Sequence, residues 1–261
     1  MRALKIAATG MMAQQMRVET ISNNLANMST TGYNARRAEF ADLHYQQLAR
    51  AGSINASNGA TLPTGIQLGL GVRTSSVNML VQQGTLAQTG GKLDLAIEGQ
   101  GYLEVTLPSG ASAYTRDGGL KLTGDGLIVT TDGYPVVPEI TVPADARDIS
   151  INADGEVYAY FENVVEPELL GSLTLANFTN DKGLEAIGSN MFRETPASGP
   201  AVVGAPGEDG RGRLRQGYLE NSSVDSVREI TELIEAQRGY ELNSKVITAA
   251  DQMLAATTQV R

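Results

Sequence analysis

The 261-residue sequence has no cysteine, no tryptophan and a single histidine, His44. Without cysteine there is no disulfide, no thiolate metal site and no cysteine nucleophile, a composition that suits any compartment, including an oxidising cell exterior. A histidine triad or zinc centre would have to be built around His44 alone, and after Asp42-Leu43 a packed or solvated side chain is its ordinary state. Aromatic residues make up 5% of the chain, too few for a glycan or cofactor pocket lined by stacked rings. Positive charge is also short. Twenty Lys and Arg against 29 Asp and Glu leave −9, a balance that repels nucleic acid and anionic lipid. No apolar run reaches the length of a membrane-spanning helix, so no membrane insertion is expected. Arg2 and Lys5 precede an apolar patch at 6–13, but Thr9 and Gly10 interrupt it and Gln14-Gln15 end it. The patch therefore reads as mature sequence and not as a cleaved signal.

What the chain does have is heptad order at both ends. Leu4, Met11, Val18 and Leu25 recur at one heptad position, and Ala7, Gln14, Ile21 and Met28 at a second, where Gln14 is the one polar member. A seam recurring every seven residues winds a helix around a partner. A helix over residues 3–28 would be roughly 39 Å long. Near the other terminus Leu233, Tyr240, Ile247 and Leu254 repeat at seven, with Ala236, Asn243, Ala250 and Thr257 beside them and a further row of Val246, Met253 and Val260. That face is wider than a two-helix seam needs. An antiparallel pair inside one core would explain the periodicity; the position of both stripes at the termini points instead to additional contacts with neighbouring subunits.

Between the ends the rhythm is different. Residues 44–95 are low in periodicity, and Gly, Ser, Asn and Thr crowd 52–71, consistent with a linker. Tyr45 to Leu48 and the alternating Ile66, Leu68, Leu70 and Val72 predict that part of it is extended and packed. From about Ala96 short β runs alternate with turns. Asp-Gly at 117–118, 125–126, 132–133, 154–155 and 209–210 suits tight hairpins, and the run from Leu169 to Phe178 reads as one long central strand. Gly- and Pro-containing breaks over 195–217 lead back to a C-terminal helix. Its start is capped by Ser222 or Ser223, or at Ser226 with Glu229 at capping-box spacing, and Glu241 and Lys245 are spaced to pair on its surface. The predicted class is α+β: terminal helices forming a coiled-coil-like pair, with an extended segment and an antiparallel β domain inserted between them. The segments are 1–44, 45–95, 96–195, 196–220 and 221–261.

No catalytic, cofactor or metal site emerges. Gly99-Gln100-Gly101 precedes a strand, whereas a phosphate-cradling loop follows one and opens a helix. Asp94, Glu98 and Glu104 could be close enough for glycosidic acid–base chemistry, but proximity among 29 acidic residues is expected by chance. Asn152 to Glu156 lacks the ligand spacing of a calcium loop and suits a hairpin turn.

Ile21-Ser22-Asn23-Asn24-Leu25-Ala26-Asn27 followed by Ser29-Thr30-Thr31-Gly32-Tyr33 resembles the N-terminal signature of the bacterial flagellar rod and hook axial proteins. Asn23, Asn24, Asn27 and Gly32 carry it, and the amides could fix register by bonding neighbouring backbone. The block from Leu233 to Glu241 and on through Leu254 is similar to that family's C-terminal signature, with Ser223 and Gly239 standing where Asn and Ala are more usual. Stretches at 3–11, 37–43, 114–118 and 175–178 follow the pattern of the distal-rod branch, and 77–97 follows that of the family. The Tyr45–Pro63 segment resembles an insertion found in distal rod proteins and missing from hook proteins. The resemblance implies a structural subunit of the flagellar drive shaft in the basal body. Such a subunit is exported unprocessed by the flagellar type III apparatus and polymerises helically with itself across the periplasm. Its partners would be proximal rod proteins, the hook protein, and the peptidoglycan and outer-membrane bushing rings. Leu4, Met11, Val18, Ile21, Leu25, Leu233, Tyr240, Ile247 and Leu254 would form the polymerisation seam. A proximal rod or hook subunit of the same family, or an exported glycan-binding β module, are the alternative readings.

Overall fold

The computed structural model describes residues 2–50, 64–162 and 166–259. Pro63 and Val260 lie outside the described residues, as do the side chains of Leu254 and Thr257. The chain is α+β, with one helix towards each terminus and antiparallel strands between. It divides into two compact units: residues 1–25, 36–78 and 226–261, and residues 26–35 and 79–225.

The first unit holds both helices and a β ribbon. Helix α1 (Arg2–Ala26) ends one turn before Gly32, where the Thr30 amide donates to Asn27 O at 3.1 Å and Gly32 takes φ +64°. Strands β1 (Arg36–Asp42), β2 (Tyr45–Ala49), β3 (Ile66–Gly69) and β4 (Val72–Met79) pair as β1–β4 and β2–β3. The Leu43 amide bonds Gly71 O (2.8 Å), so the two ladders are continuous. The β2–β3 arm is extended, as its alternation predicts, but it is not packed: Tyr45, Leu48, Ile66 and Leu68 are all exposed. A two-stranded ribbon has no second layer on which to bury a face.

Helix α2 (Ser226–Gln259) starts at the later of the two expected positions. The Ser223 hydroxyl is engaged elsewhere, accepting the Ala35 amide at 3.0 Å, and that of Ser222 accepts the Val224 amide at 3.3 Å. The i,i+4 ion pair described on this helix is Arg228–Glu232 (3.3 Å), not Glu241–Lys245.

The second unit is built on a six-stranded antiparallel sheet in the order 185–188, 191–193, 112–115, 102–106, 175–177, 202–204. Alternation sorts its side chains. Leu103, Val105, Ala113, Leu175 and Met191 enter one core, joined by Ile151 and Val157 of a three-stranded sheet. Tyr102, Tyr114, Ala176 and Phe192 face the other way and meet Phe178, with ring centroids 4.8–5.9 Å apart in edge-on geometry.

The run from Leu169 to Phe178 is two strands, 168–172 and 175–177, in different sheets. The chain changes sheet at Leu173-Thr174, where the Leu173 amide bonds Gly155 O at 2.8 Å. Four of the five Asp-Gly glycines have positive φ, as tight turns require. Gly118 does not. It lies against the Leu95 carbonyl so closely that a Cβ would overlap it.

Candidate assembly interface

The two terminal helices pack against each other antiparallel, and polar contacts fix their register. Gly10 lies on the Asn243 amide, Gly239 on the Gln14 amide, Arg17 reaches Glu232 (3.4 Å) and Glu235 (3.5 Å), and Asn24 reaches Glu229 (3.1 Å). Residue numbers across these contacts sum to nearly constant values, as an antiparallel pair demands. The inward line of α1 is therefore Ala7, Gly10, Gln14, Arg17, Ile21 and Asn24. That of α2 runs through Glu229, Ala236, Gly239, Asn243 and Ala250.

The expected seam is half displaced from this line. Ile21 is buried, whereas Leu4, Met11, Val18 and Leu25 are only half-buried along its flank. On α2, Leu233 and Ile247 are half-buried and Tyr240 is 45% exposed. The row of Val246 and Met253 stays exposed, and so do Val227, Ile230, Ile234 and Leu242. Small residues line the intrachain contact because glycine and alanine let two backbones approach, while the larger apolar side chains are left on the outer surfaces of the pair.

Of the signature asparagines, Asn24 has a complete structural role. Its side-chain oxygen accepts the Arg36 amide (2.8 Å), and its NH2 donates to Arg36 O (2.8 Å) and to Glu229 Oε2 (3.1 Å). At 1% exposure a buried amide needs these partners, and in meeting that need it clasps α1, β1 and α2 together. The same helix holds the other arm of the ribbon through the Thr9 hydroxyl, which donates to Ile6 O (2.8 Å) and accepts the Val72 amide (3.3 Å). Asn23 is exposed, and Asn27 accepts from the Thr30 hydroxyl at 3.2 Å.

Gly32, in the second unit, is required by geometry. Its φ of +64° costs an L-residue roughly 1–2 kcal/mol, and a Cβ there would sit 2.8 Å from the Arg116 carbonyl carbon and oxygen. Its amide donates to Glu220 O at 2.7 Å. Beside it is an ion pair that the sequence reading did not single out. Arg116 Nε and Nη2 donate to Glu220 Oε2 (3.0 and 2.9 Å), and its Nη1 and Nη2 donate to the carbonyls of Gly101 and Gly99 (3.0 Å each). Glu220 Oε1 accepts the Gly84 amide at 2.9 Å. The Gly99-Gln100-Gly101 loop thus presents carbonyls to a cation, the opposite polarity to a phosphate cradle. No local sequence signal joins residues 116 and 220; only the topology brings them together.

The other residues weighed as chemical groups sit in ordinary settings. His44 and Glu98 are exposed. Asp94 accepts from the Thr89 hydroxyl, and Asn152 closes its hairpin by accepting the amides of Asp154 (3.1 Å) and Glu156 (2.8 Å). Among the described residues no helix is long and apolar enough to cross a membrane.

Comparison with known proteins matches three family models along the chain: "Flagella basal body rod protein" at residues 4–34, "Flagellar hook protein FlgE/F/G D1 domain" at 96–159, and "Flagellar basal body rod FlgEFG protein C-terminal" at 215–260. The chain is 54% identical over 261 residues to the flagellar basal-body rod protein FlgG of Caulobacter vibrioides, with both chains covered completely. It is 52% identical over 253 residues to that of Agrobacterium fabrum, covering 97% of each. To that of Bacillus subtilis it is 38% identical over 263 aligned positions, again covering 97% of each.

Proposed function

The chain belongs to the family of flagellar basal-body rod proteins, and from that membership we propose that it is the distal rod subunit, which assembles helically with copies of itself and transmits torque from motor to hook. Its role is structural. The observation that carries the assembly reading is the distribution of apolar side chains on the helix pair. Leu4, Met11, Val18 and Leu25 on one helix and Ile230, Ile234, Val246 and Met253 on the other are left half-buried or exposed. Large apolar side chains left uncovered in such number mark protein contacts. Charge supports the same view. Although the chain carries −9, the helical unit has 11 basic and 8 acidic residues, whereas the β unit has 9 and 21. Copies meeting through their helical units are therefore not opposed by the net negative charge.

On this reading Leu4, Met11, Val18, Ile21, Leu25, Leu233, Tyr240, Ile247 and Leu254 serve the polymerisation seam, and the Tyr45–Pro63 insertion distinguishes a distal rod subunit from a hook subunit. Proximal rod proteins and the hook protein adjoin it along the shaft, the peptidoglycan and outer-membrane rings surround it in the periplasm, and the flagellar type III apparatus exports it without a cleaved signal peptide. The test is electron microscopy of basal bodies from a strain lacking the chain. Truncated rods without hooks are expected. Complete rods lacking only the hook would move the subunit to the hook, and intact hook–basal bodies on motile cells would refute the axial role.

A further inference from the structure

The helix pair contains a reciprocal arrangement one turn long. On α1, Gly10 and Gln14 are four residues apart, and on α2, Gly239 and Asn243 are four apart. Each glycine faces the other helix's amide. A Cβ on Gly10 would meet the Asn243 amide atoms at 3.0–3.2 Å, and a Cβ on Gly239 would meet those of Gln14 at 3.1–3.3 Å. Helical side chains lean towards their own N-terminus, so in an antiparallel pair the two amides lean towards each other. Gln14 Oε1 is buried and makes no hydrogen bond. The fit therefore stabilises little by hydrogen bonding and acts mainly through shape.

We infer that the Gly10–Asn243 and Gln14–Gly239 contacts form a two-way lock that sets the register of α1 against α2. The alternatives are costly. A slip of one heptad in one direction places Gln14 opposite Val246 and Asn24 opposite Ala236. In the other direction it places Asn243 opposite Ala3 and Gly239 opposite Ala7. Either slip separates both amides from both glycines and brings one amide against an aliphatic side chain, Gln14 on Val246 or Asn243 on Ala3, while the other amide meets a charged residue, Arg17 or Glu232. Buried polar residues that tolerate one register alone are a known means of specifying helix pairing. The lock accounts for both anomalies of the heptads: the polar Gln14 in an apolar row, and the glycine at 239 within a helix. Each is the other's complement. The inference stands on intrachain geometry and does not depend on the proposed function.

The chain has no cysteine, so introduced pairs report register cleanly. Ala7→Cys with Ile247→Cys reads the observed register, and Ala7→Cys with Tyr240→Cys reads a one-heptad slip. The decisive variant is Gly239→Ala in the full-length chain. Helix propensity alone favours alanine by about 1 kcal/mol and would raise both helical content and crosslinking in the observed register. The lock has the opposite consequence. The ratio of observed to slipped crosslinks falls by about tenfold, equivalent to about 1.4 kcal/mol, and adding Gln14→Ala restores it. The double variant Gln14→Leu with Asn243→Leu is expected to lower the ratio at unchanged far-ultraviolet dichroism. A Gly239→Ala chain that crosslinks in the observed register as well as the parent does, or a fall that Gln14→Ala leaves unrepaired, would overturn the lock. So would a parent chain that gives no Ala7→Cys/Ile247→Cys crosslink.

Discussion

The buried pair Arg116–Glu220 gives the sharpest test of how the β unit is held together. The two side chains are 5% and 3% exposed. Arg116 donates four hydrogen bonds, two to Glu220 and one each to Gly99 and Gly101, and Glu220 accepts a further bond from Gly84. One residue on each side is thus tied to loops that would otherwise leave carbonyls and an amide without partners. Glu220→Gln keeps the shape and the acceptor for Gly84 but leaves the guanidinium without its counter-charge. Uncompensated buried charge costs about 3–5 kcal/mol. In a unit of this size, each kcal/mol lowers the midpoint by about 2–4 °C, so a fall of about 6–20 °C is expected in the β-sheet dichroism transition of the full-length chain. Arg116→Met removes the charge but orphans the two glycine carbonyls and the carboxylate, for a loss of similar size. The double variant Arg116→Met with Glu220→Leu should lose less than the sum of the singles, with a coupling of at least about 1 kcal/mol. Because the pair is buried, salt should not weaken it in the parent. A Glu220→Gln transition within about 1 kcal/mol of the parent, converted as above, would show that water reaches the site and that the burial argument fails.

Two further substitutions test other parts of the fold. Asn24→Asp replaces a donor with a second carboxylate facing Glu229 and Arg36 O; the helical signal is expected to lose about 2–4 kcal/mol of stability in urea melts. Acidification protonates the introduced carboxyl and restores a donor, so the variant should regain stability relative to the parent as pH falls through the carboxylate range; a deficit independent of pH would contradict the clasp. Asp117 is held above the usual carboxylate range by burial, opposed by the Gly119 amide bond and reinforced by Asp132 and Asp94. Its folded state therefore binds a proton more tightly than its unfolded state, a contribution fully present below the ordinary value and lost as pH rises through the raised one. Asp117→Asn keeps an acceptor for Gly119, so it should raise the thermal midpoint at neutral pH and converge with the parent in acid. A lower midpoint at neutral pH would refute this.

How much of this was legible beforehand differs between local and non-local features. Both terminal helices, the Asp-Gly turns at 125–126, 132–133, 154–155 and 209–210, and the extended arm at 45–49 each carry their signal within a few residues. The split at Leu173-Thr174 does not. The run from Leu169 to Phe178 looks like one strand because its apolar residues continue across the break, yet Leu169 is exposed while Leu175 and Ala176 are fully buried, and the sheet that the second half joins is set by distant partners, Tyr102 and Leu103. Arg116–Glu220 is illegible for the same reason. Gly32 was legible as a signature but not in its cause, the Arg116 backbone lying 2.8 Å from where a Cβ would stand.

The displaced seam has a different origin. The heptad offers two rows, Leu4, Met11, Val18 and Leu25, and Ala7, Gln14, Ile21 and Met28. The helices meet along Ala7, Gly10, Gln14, Arg17, Ile21 and Asn24, a line that holds three members of the second row, where small side chains permit approach and polar ones fit a single register. A helix pair whose intrachain contact is small and polar gains little free energy from burying that contact, because apolar area contributes most of the driving force at about 25 cal/mol per Å². It gains specificity instead. Apart from the buried Ile21, the large apolar residues lie on the flanks and outer faces of the pair, where burying them fully requires a further surface. Register and cohesion are thus assigned to different residues of the same helices. A substitution on the inner line should change how the two helices align within one chain, and one on the outer rows should change what the pair can bind. The order of events follows from the same division. The apolar rows of α1 and α2 form one surface only once the polar line has aligned them, so the register must be set before any contact through the outer faces can reach its full area.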